Sequence, residues 1–96
     1  MRGWIYIMAN RYRGTIYIGV TAFLPERVTQ HRKRKGGAFT AKYGCTMLVN
    51  AEPYESIEDA IAREKALKKW NREWKIRLIE EHNPDWEDRY DDLVLL

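Results

Sequence analysis

Two short runs of β-branched and aromatic residues, Trp4 to Met8 and Ile16 to Val20, flank a polar segment that holds Asn10 and Gly14. No other feature constrains the fold as much. Runs of this kind around turn residues read as two strands joined by a hairpin-like turn. Strand side chains alternate faces, so Ile5 and Ile7 share one side of the first run, and Ile16, Ile18 and Val20 one side of the second. That gives an aliphatic surface for a core. The other side carries Trp4, Tyr6, Tyr17 and Gly19. Strand propensity alone explains tyrosines as packing groups, but a glycine beside them leaves the backbone bare and predicts a solvent-facing surface that admits a ligand closely.

The chain of 96 residues, 45% hydrophobic and 12% aromatic, suits one small domain spanning residues 1–96 with a single core. Cys45 is the only cysteine, which excludes an internal disulfide and a cysteine-based zinc site and fits a reducing compartment. The longest apolar run, Trp4 to Ala9, is too short to cross a bilayer, and no basic-then-apolar leader opens the sequence. The expectation is a soluble cytoplasmic protein without a membrane partner. Oligomeric state is not legible.

Charge is distributed unevenly. Residues 1–51 hold nine Lys or Arg against the single acid Glu26, a balance of +8, and the remainder is −5. A cationic first half suits a polyanionic partner, although a charge run is often only a solvated face. The densest part is Arg32-Lys33-Arg34-Lys35, with Lys42 further on. Two glycines follow the run, which fits a flexible contact to backbone phosphates, with Phe39 or Tyr43 as base-stacking groups. AFTAKYG then reads as a short helical turn ended by Gly44, and Thr46 to Ala51 as a third strand.

Pro25 marks a helix start, with Leu24, Arg27, Val28 and His31 at i, i+3, i+4 and i+7. Arg27 and His31 on an apolar stripe need partners, and the tyrosine face is the nearest source. Alternatively, Arg27 covers the stripe with its stem and His31 caps its edge. Ser56-x-x-Asp59 is a capping-box pattern for a helix reaching Trp70. Its stripe is Ile57, Ala60, Ile61 and Leu67, with Glu64 near the middle. A carboxylate there must be paired or bind a cation, so Glu64 is a functional candidate, or else an ion-pair partner of Arg27 or Arg63. A final helix from Arg72 to His82 carries Trp74, Leu78 and Ile79 to the core, and Asn83-Pro84 stops it.

Ile5-Tyr6, ten intervening residues, and Tyr17-Ile18-Gly19 resemble the two-part signature of the GIY-YIG nuclease superfamily at its usual spacing, with Trp4 where the first glycine is expected. Arg27 stands ten residues after Tyr17, as the family's arginine does. AIAREKALKKW and NPDWEDRY resemble the small stand-alone members, so the resemblance covers nearly the whole chain. The family's downstream asparagine has only Asn71 and Asn83 as candidates, and the lysine of its repair branch is missing after Gly19.

The resemblance implies an α+β domain with a small three-stranded antiparallel or mixed β-sheet flanked by α-helices. It also implies an endonuclease that hydrolyses phosphodiester bonds, in DNA more than RNA, in repair or recombination. One divalent ion, Mg²⁺ or Mn²⁺, would be held by Glu64, with Arg27 stabilising charge on the phosphate. Tyr6, Tyr17 and His31 would position and deprotonate the nucleophile. Histidine has the better unperturbed pKa, near 6.5 against about 10, whereas the family is thought to use a tyrosine. All five residues are expected on one concave surface. The other classes are a non-catalytic nucleic-acid-binding module that keeps the fold and an interaction protein with a charged surface. An inward carboxylate speaks against a pure binder.

Overall fold

The computed structural model describes residues 1–94. Strand β1 (Gly3–Ala9) is central, paired antiparallel with β2 (Ile16–Thr21) on one side and β3 (Met47–Tyr54) on the other. The hairpin register sets Tyr6 opposite Gly19 and Met8 opposite Tyr17. Its turn is closed by the Asn10 side chain, which accepts from the Thr15 amide at 2.8 Å. The third strand runs three residues past the predicted Ala51 and includes Pro53, which an edge strand tolerates because its outer side needs no amide donor.

Helices α1 (Leu24–Arg32), α2 (Ala38–Tyr43), α3 (Ile57–Lys69), α4 (Arg72–His82) and α5 (Tyr90–Val94) cover both sheet faces. On the aliphatic face Ile5, Ile7, Ile18 and Val49 pack with Leu67 of α3, Ile79 of α4 and Trp86. On the other face Tyr6, Met8 and Leu48 pack with Leu24 and Val28 of α1 and with Cys45. The tyrosine side of the sheet is therefore a second core, not an open surface. Leu24 and Val28 lie one helical turn apart and bring α1 down on it.

Local chemistry sets the helix ends. Ser56 Oγ accepts from the Asp59 amide at 3.2 Å, as the capping pattern predicts, and Gly44 ends α2 in the left-handed conformation. Two predicted core positions turn outward: Trp74 is 50% exposed and Ile61 36%. The inward face of α3 is centred on Ala60 and Leu67, which rotates Ile61 off it, and Trp74 instead meets Trp70 edge-on at 5.8 Å. Helix α5 has no signal in the sequence. It is docked by Arg32, which pairs with Asp88 and stacks 4.2 Å over the Tyr90 ring.

Candidate active site

Tyr6 lies in the middle of β1, and the Gly19 opposite it explains the pairing of tyrosine and glycine in the two strands. A Cβ at Gly19 would stand 2.4 Å from Tyr6 Cζ and Oη. The bare backbone is thus filled by the protein's own ring, not held open for a ligand. Gly36 plays the same part for His31, since a Cβ there would lie 2.4 Å from Nδ1.

Four of the five predicted catalytic residues come together. The Tyr6, Tyr17 and His31 rings form a triangle with centroids 6.2, 5.5 and 5.4 Å apart. Tyr6 Oη is 2.9 Å from His31 Nε2, and His31 Nδ1 is 3.0 Å from Thr40 Oγ1. The Thr40 hydroxyl donates to Gly37 O at 3.3 Å, so it accepts from His31 Nδ1–H, and Nε2 is left to accept from Tyr6. The chain of donors fixes one imidazole tautomer. Arg27 donates to Gly36 O at 2.7 Å and to Gln30 Oε1 at 2.9 Å, and its guanidinium faces both tyrosine hydroxyls.

This burial has an electrostatic result. Tyr6 is pushed up to about 12, chiefly by desolvation, with Arg27 acting in the opposite sense. His31 is pushed down to about 4, first by burial and then by the Arg27 charge. At neutral pH the pair is therefore a phenol donating to a neutral imidazole. Tyr6 is 1% exposed and His31 0%, whereas Tyr17 and Arg27 are half-buried and reach the surface.

Among the described residues Glu64 has no hydrogen bond or ion pair with the other four. Helix α3 packs on the aliphatic face because Ala60 and Leu67 fit there, and the tyrosines occupy the opposite face. The Glu64 side chain, 17% exposed, pairs with Lys68 at 3.6 Å rather than with Arg27 or Arg63. Arg63 pairs instead with Glu52 at 3.2 Å. Lys68 in turn lines a cleft with Tyr17 along β2, the edge strand, so Glu64 approaches the cluster around the sheet edge. Among the described residues no three His, Cys, Asp or Glu side chains group as a ready metal cage.

The two candidate asparagines have other work. Asn71 Oδ1 caps α4 by accepting from the Trp74 amide at 2.9 Å. Asn83 is 3% exposed; its amide donates to Val49 O at 3.1 Å and Glu87 O at 2.9 Å, and its oxygen accepts from the Glu87 amide at 3.0 Å. Of the basic run, Lys33, Arg34 and Lys35 are exposed, as is Lys42, while Arg32 is held by Asp88 and Tyr90. Thr40, which fixes the His31 tautomer, is a residue that the sequence does not single out. The signal available is the spacing of His31 to Thr40 across a glycine pair.

The structure is thus an α+β domain with a central tyrosine strand, a tyrosine–glycine edge strand and an arginine–histidine helix. The model of the GIY-YIG catalytic domain matches residues 2–77, and the chain belongs to that family. UPF0213 proteins of Staphylococcus aureus strains Mu3 and Mu50 are each 34% identical over 68 residues, covering 71% of this chain and 83% of theirs. The solution NMR structure of a UPF0213 protein from Bacillus halodurans superposes with a TM-score of 0.57 at 27% identity, covering 92% of this chain and 93% of that one. No helix among the described residues is long and apolar enough to cross a membrane.

Proposed function

We propose that this chain is a metal-dependent endonuclease that hydrolyses phosphodiester bonds of nucleic acid, DNA in the first instance. The observation that carries the reading is the donor chain Tyr6–His31–Thr40–Gly37 with Arg27 beside it. The Tyr6 O–H is taken up by the lone pair on His31 Nε2, so the Tyr6 oxygen is left as an acceptor beside Tyr17. Tyr17, half-buried, would face the nucleophile, with its ring 6.2 Å from Tyr6 and 5.4 Å from His31. Arg27, fixed by Gly36 and Gln30, offsets the charge that develops on the phosphate.

Nucleases of this family use divalent metal ions. The donor set here fits one that keeps most of its water: a single carboxylate, Glu64, whose only ion pair among the described residues is a 3.6 Å contact to Lys68. Glu64 would hold Mg²⁺ or Mn²⁺ together with water and phosphate. Such an ion supplies Lewis-acid stabilisation of the phosphoryl oxygens.

Nicking assays on branched, nicked and single-stranded DNA with Mg²⁺ and with Mn²⁺ test this reading. Glu64→Gln should lower cleavage by orders of magnitude while metal-free binding persists or tightens, because a negative charge near phosphate is removed. Cleavage by Glu64→Gln at the wild-type rate would remove the metal from the mechanism. A nucleic-acid binder without catalysis would show affinity and no nicking with either ion.

A further inference from the structure

Beside the tyrosine cluster, along the outer edge of β2, lies a cleft of about 290 Å³ lined by Ile16, Tyr17, Ile18, Phe39, Lys68 and Lys75. Its residues come from both sides of the sheet. Phe39 belongs to α2 on the tyrosine face, whereas Lys68 and Lys75 reach in from α3 and α4, whose cores pack on the aliphatic face. Tyr17 belongs to both the cleft and the cluster. From it the rings step outward, His31 to Tyr17 at 5.4 Å, Tyr17 to Phe39 at 6.0 Å and Phe39 to Tyr43 at 4.8 Å, the last two rings 45% and 43% exposed.

Its charge is unbalanced. Lys75 is half-buried and pairs with no carboxylate among the described residues. Lys68 has only the 3.6 Å contact to Glu64. Two ammonium groups beside an apolar wall with so little counter-charge favour an anionic guest that also has flat, apolar surface. A nucleotide step of a nucleic-acid strand has both parts.

We propose that the β2-edge cleft is a strand subsite for nucleic acid: one sugar–base step lies against Phe39 and the isoleucines, and its phosphate sits between Lys68 and Lys75. The inference rests on the nuclease reading for its orientation, since Tyr17 would then connect this phosphate to the one being cut. The strand would cross the sheet edge instead of staying on the α1 side, where the basic run lies. That path brings it past Lys68 and so past Glu64, its ion-pair partner.

Lysines beside an unpaired strand edge have another use, which is to deter edge-to-edge pairing with a second chain. Binding of a short fluorescein-labelled single-stranded oligonucleotide to the full chain, measured by anisotropy in EDTA across a salt series, separates the two roles. Lys75→Met and Phe39→Ala are the variants, since neither belongs to the catalytic cluster. Lys75→Met should weaken binding about three- to tenfold and lower the salt slope by about 0.7, the share of one single-strand phosphate contact. Phe39→Ala should weaken it about five- to a hundredfold with the slope unchanged, as expected when a stacking surface is removed.

Wild-type affinity and slope in both variants, with circular dichroism confirming the fold, would overturn the subsite. So would a Lys75→Met chain that self-associates in light scattering while binding the oligonucleotide as before, which is the behaviour of an edge guard. Because the binding assay contains no metal, its result does not depend on cleavage: a wild-type chain that binds through Lys75 and Phe39 in EDTA yet cuts nothing when Mg²⁺ or Mn²⁺ is supplied would retain the subsite and remove the nuclease reading. The reverse result, cleavage with no dependence on either residue, would do the opposite.

Discussion

His31 is held neutral in the folded chain at a pH where an exposed histidine is already charged. Its ring is fully buried, both nitrogens are engaged, and burial followed by the Arg27 charge pushes its pKa to about 4. The unfolded chain, with an ordinary value near 6.5, takes up a proton first as pH falls. Stability is therefore complete above about pH 6.5 and is lost as pH drops towards 4, by roughly 2 to 3 kcal/mol over that window. Urea unfolding at neutral and at mildly acidic pH checks this, with His31→Gln expected to show a smaller acid loss than wild type. Equal losses in the two proteins would mean that some other group carries the acid sensitivity. Catalysis should follow the same group, because His31 Nε2 can accept the Tyr6 hydrogen bond that orients the phenol only while it is neutral.

At the scale of elements, the hairpin, α1, α3 and α4 are legible because their signals are local: alternation in two strands, Pro25 at a helix start, the Ser56 cap. What the sequence hides is which surfaces meet. Nothing local says that α1 will close over the tyrosine side of the sheet, so Gly19 looks like room for a ligand when it is room for Tyr6. The inward placing of Glu64 on α3 follows from periodicity, but the face of the sheet that α3 covers does not, nor does the pairing of Glu64 with Lys68. The short α5 and its docking through Arg32, Asp88 and Tyr90 depend on pairs of residues more than fifty positions apart. Asn83 is legible as a stop signal yet acts as a clamp between β3 and the segment after α4. Asn83→Ala leaves buried backbone groups without partners and should cost about 2 to 3 kcal/mol in denaturant unfolding. Cleavage per folded molecule should stay unchanged, and a selective loss of activity at full stability would instead place this asparagine in the chemistry.

The whole molecule separates its charge, +8 over residues 1–51 against −5 over the rest, and the separation is partly internal. Arg32 is neutralised by Asp88, and Arg13 grips Glu80 through two 2.8 Å bonds that, with the Trp86 indole, hold this carboxylate down at about 2. Lys33, Arg34, Lys35 and Lys42 remain exposed. If they line the nucleic-acid path, replacing Lys33, Arg34 and Lys35 by glutamine should weaken binding for all sequences alike. The salt dependence should flatten by about 0.9 for each duplex phosphate that is no longer neutralised. An unchanged slope would move the binding path to the β2 edge alone.

The central claim, that the tyrosine cluster cleaves phosphodiesters, is tested most directly at Tyr17. Its ring packs against Tyr6, His31 and Phe39, so Tyr17→Phe removes one oxygen and keeps the packing. Single-turnover nicking of branched, nicked and single-stranded DNA with Mg²⁺ and with Mn²⁺ is the measurement. Wild type should cut at least one of these substrates, and Tyr17→Phe should cut it about a hundred- to ten-thousandfold more slowly at unchanged melting temperature and affinity. A Tyr17→Phe chain that cuts at the wild-type rate, or a folded wild-type chain that cuts none of the substrates with either ion, would contradict the account.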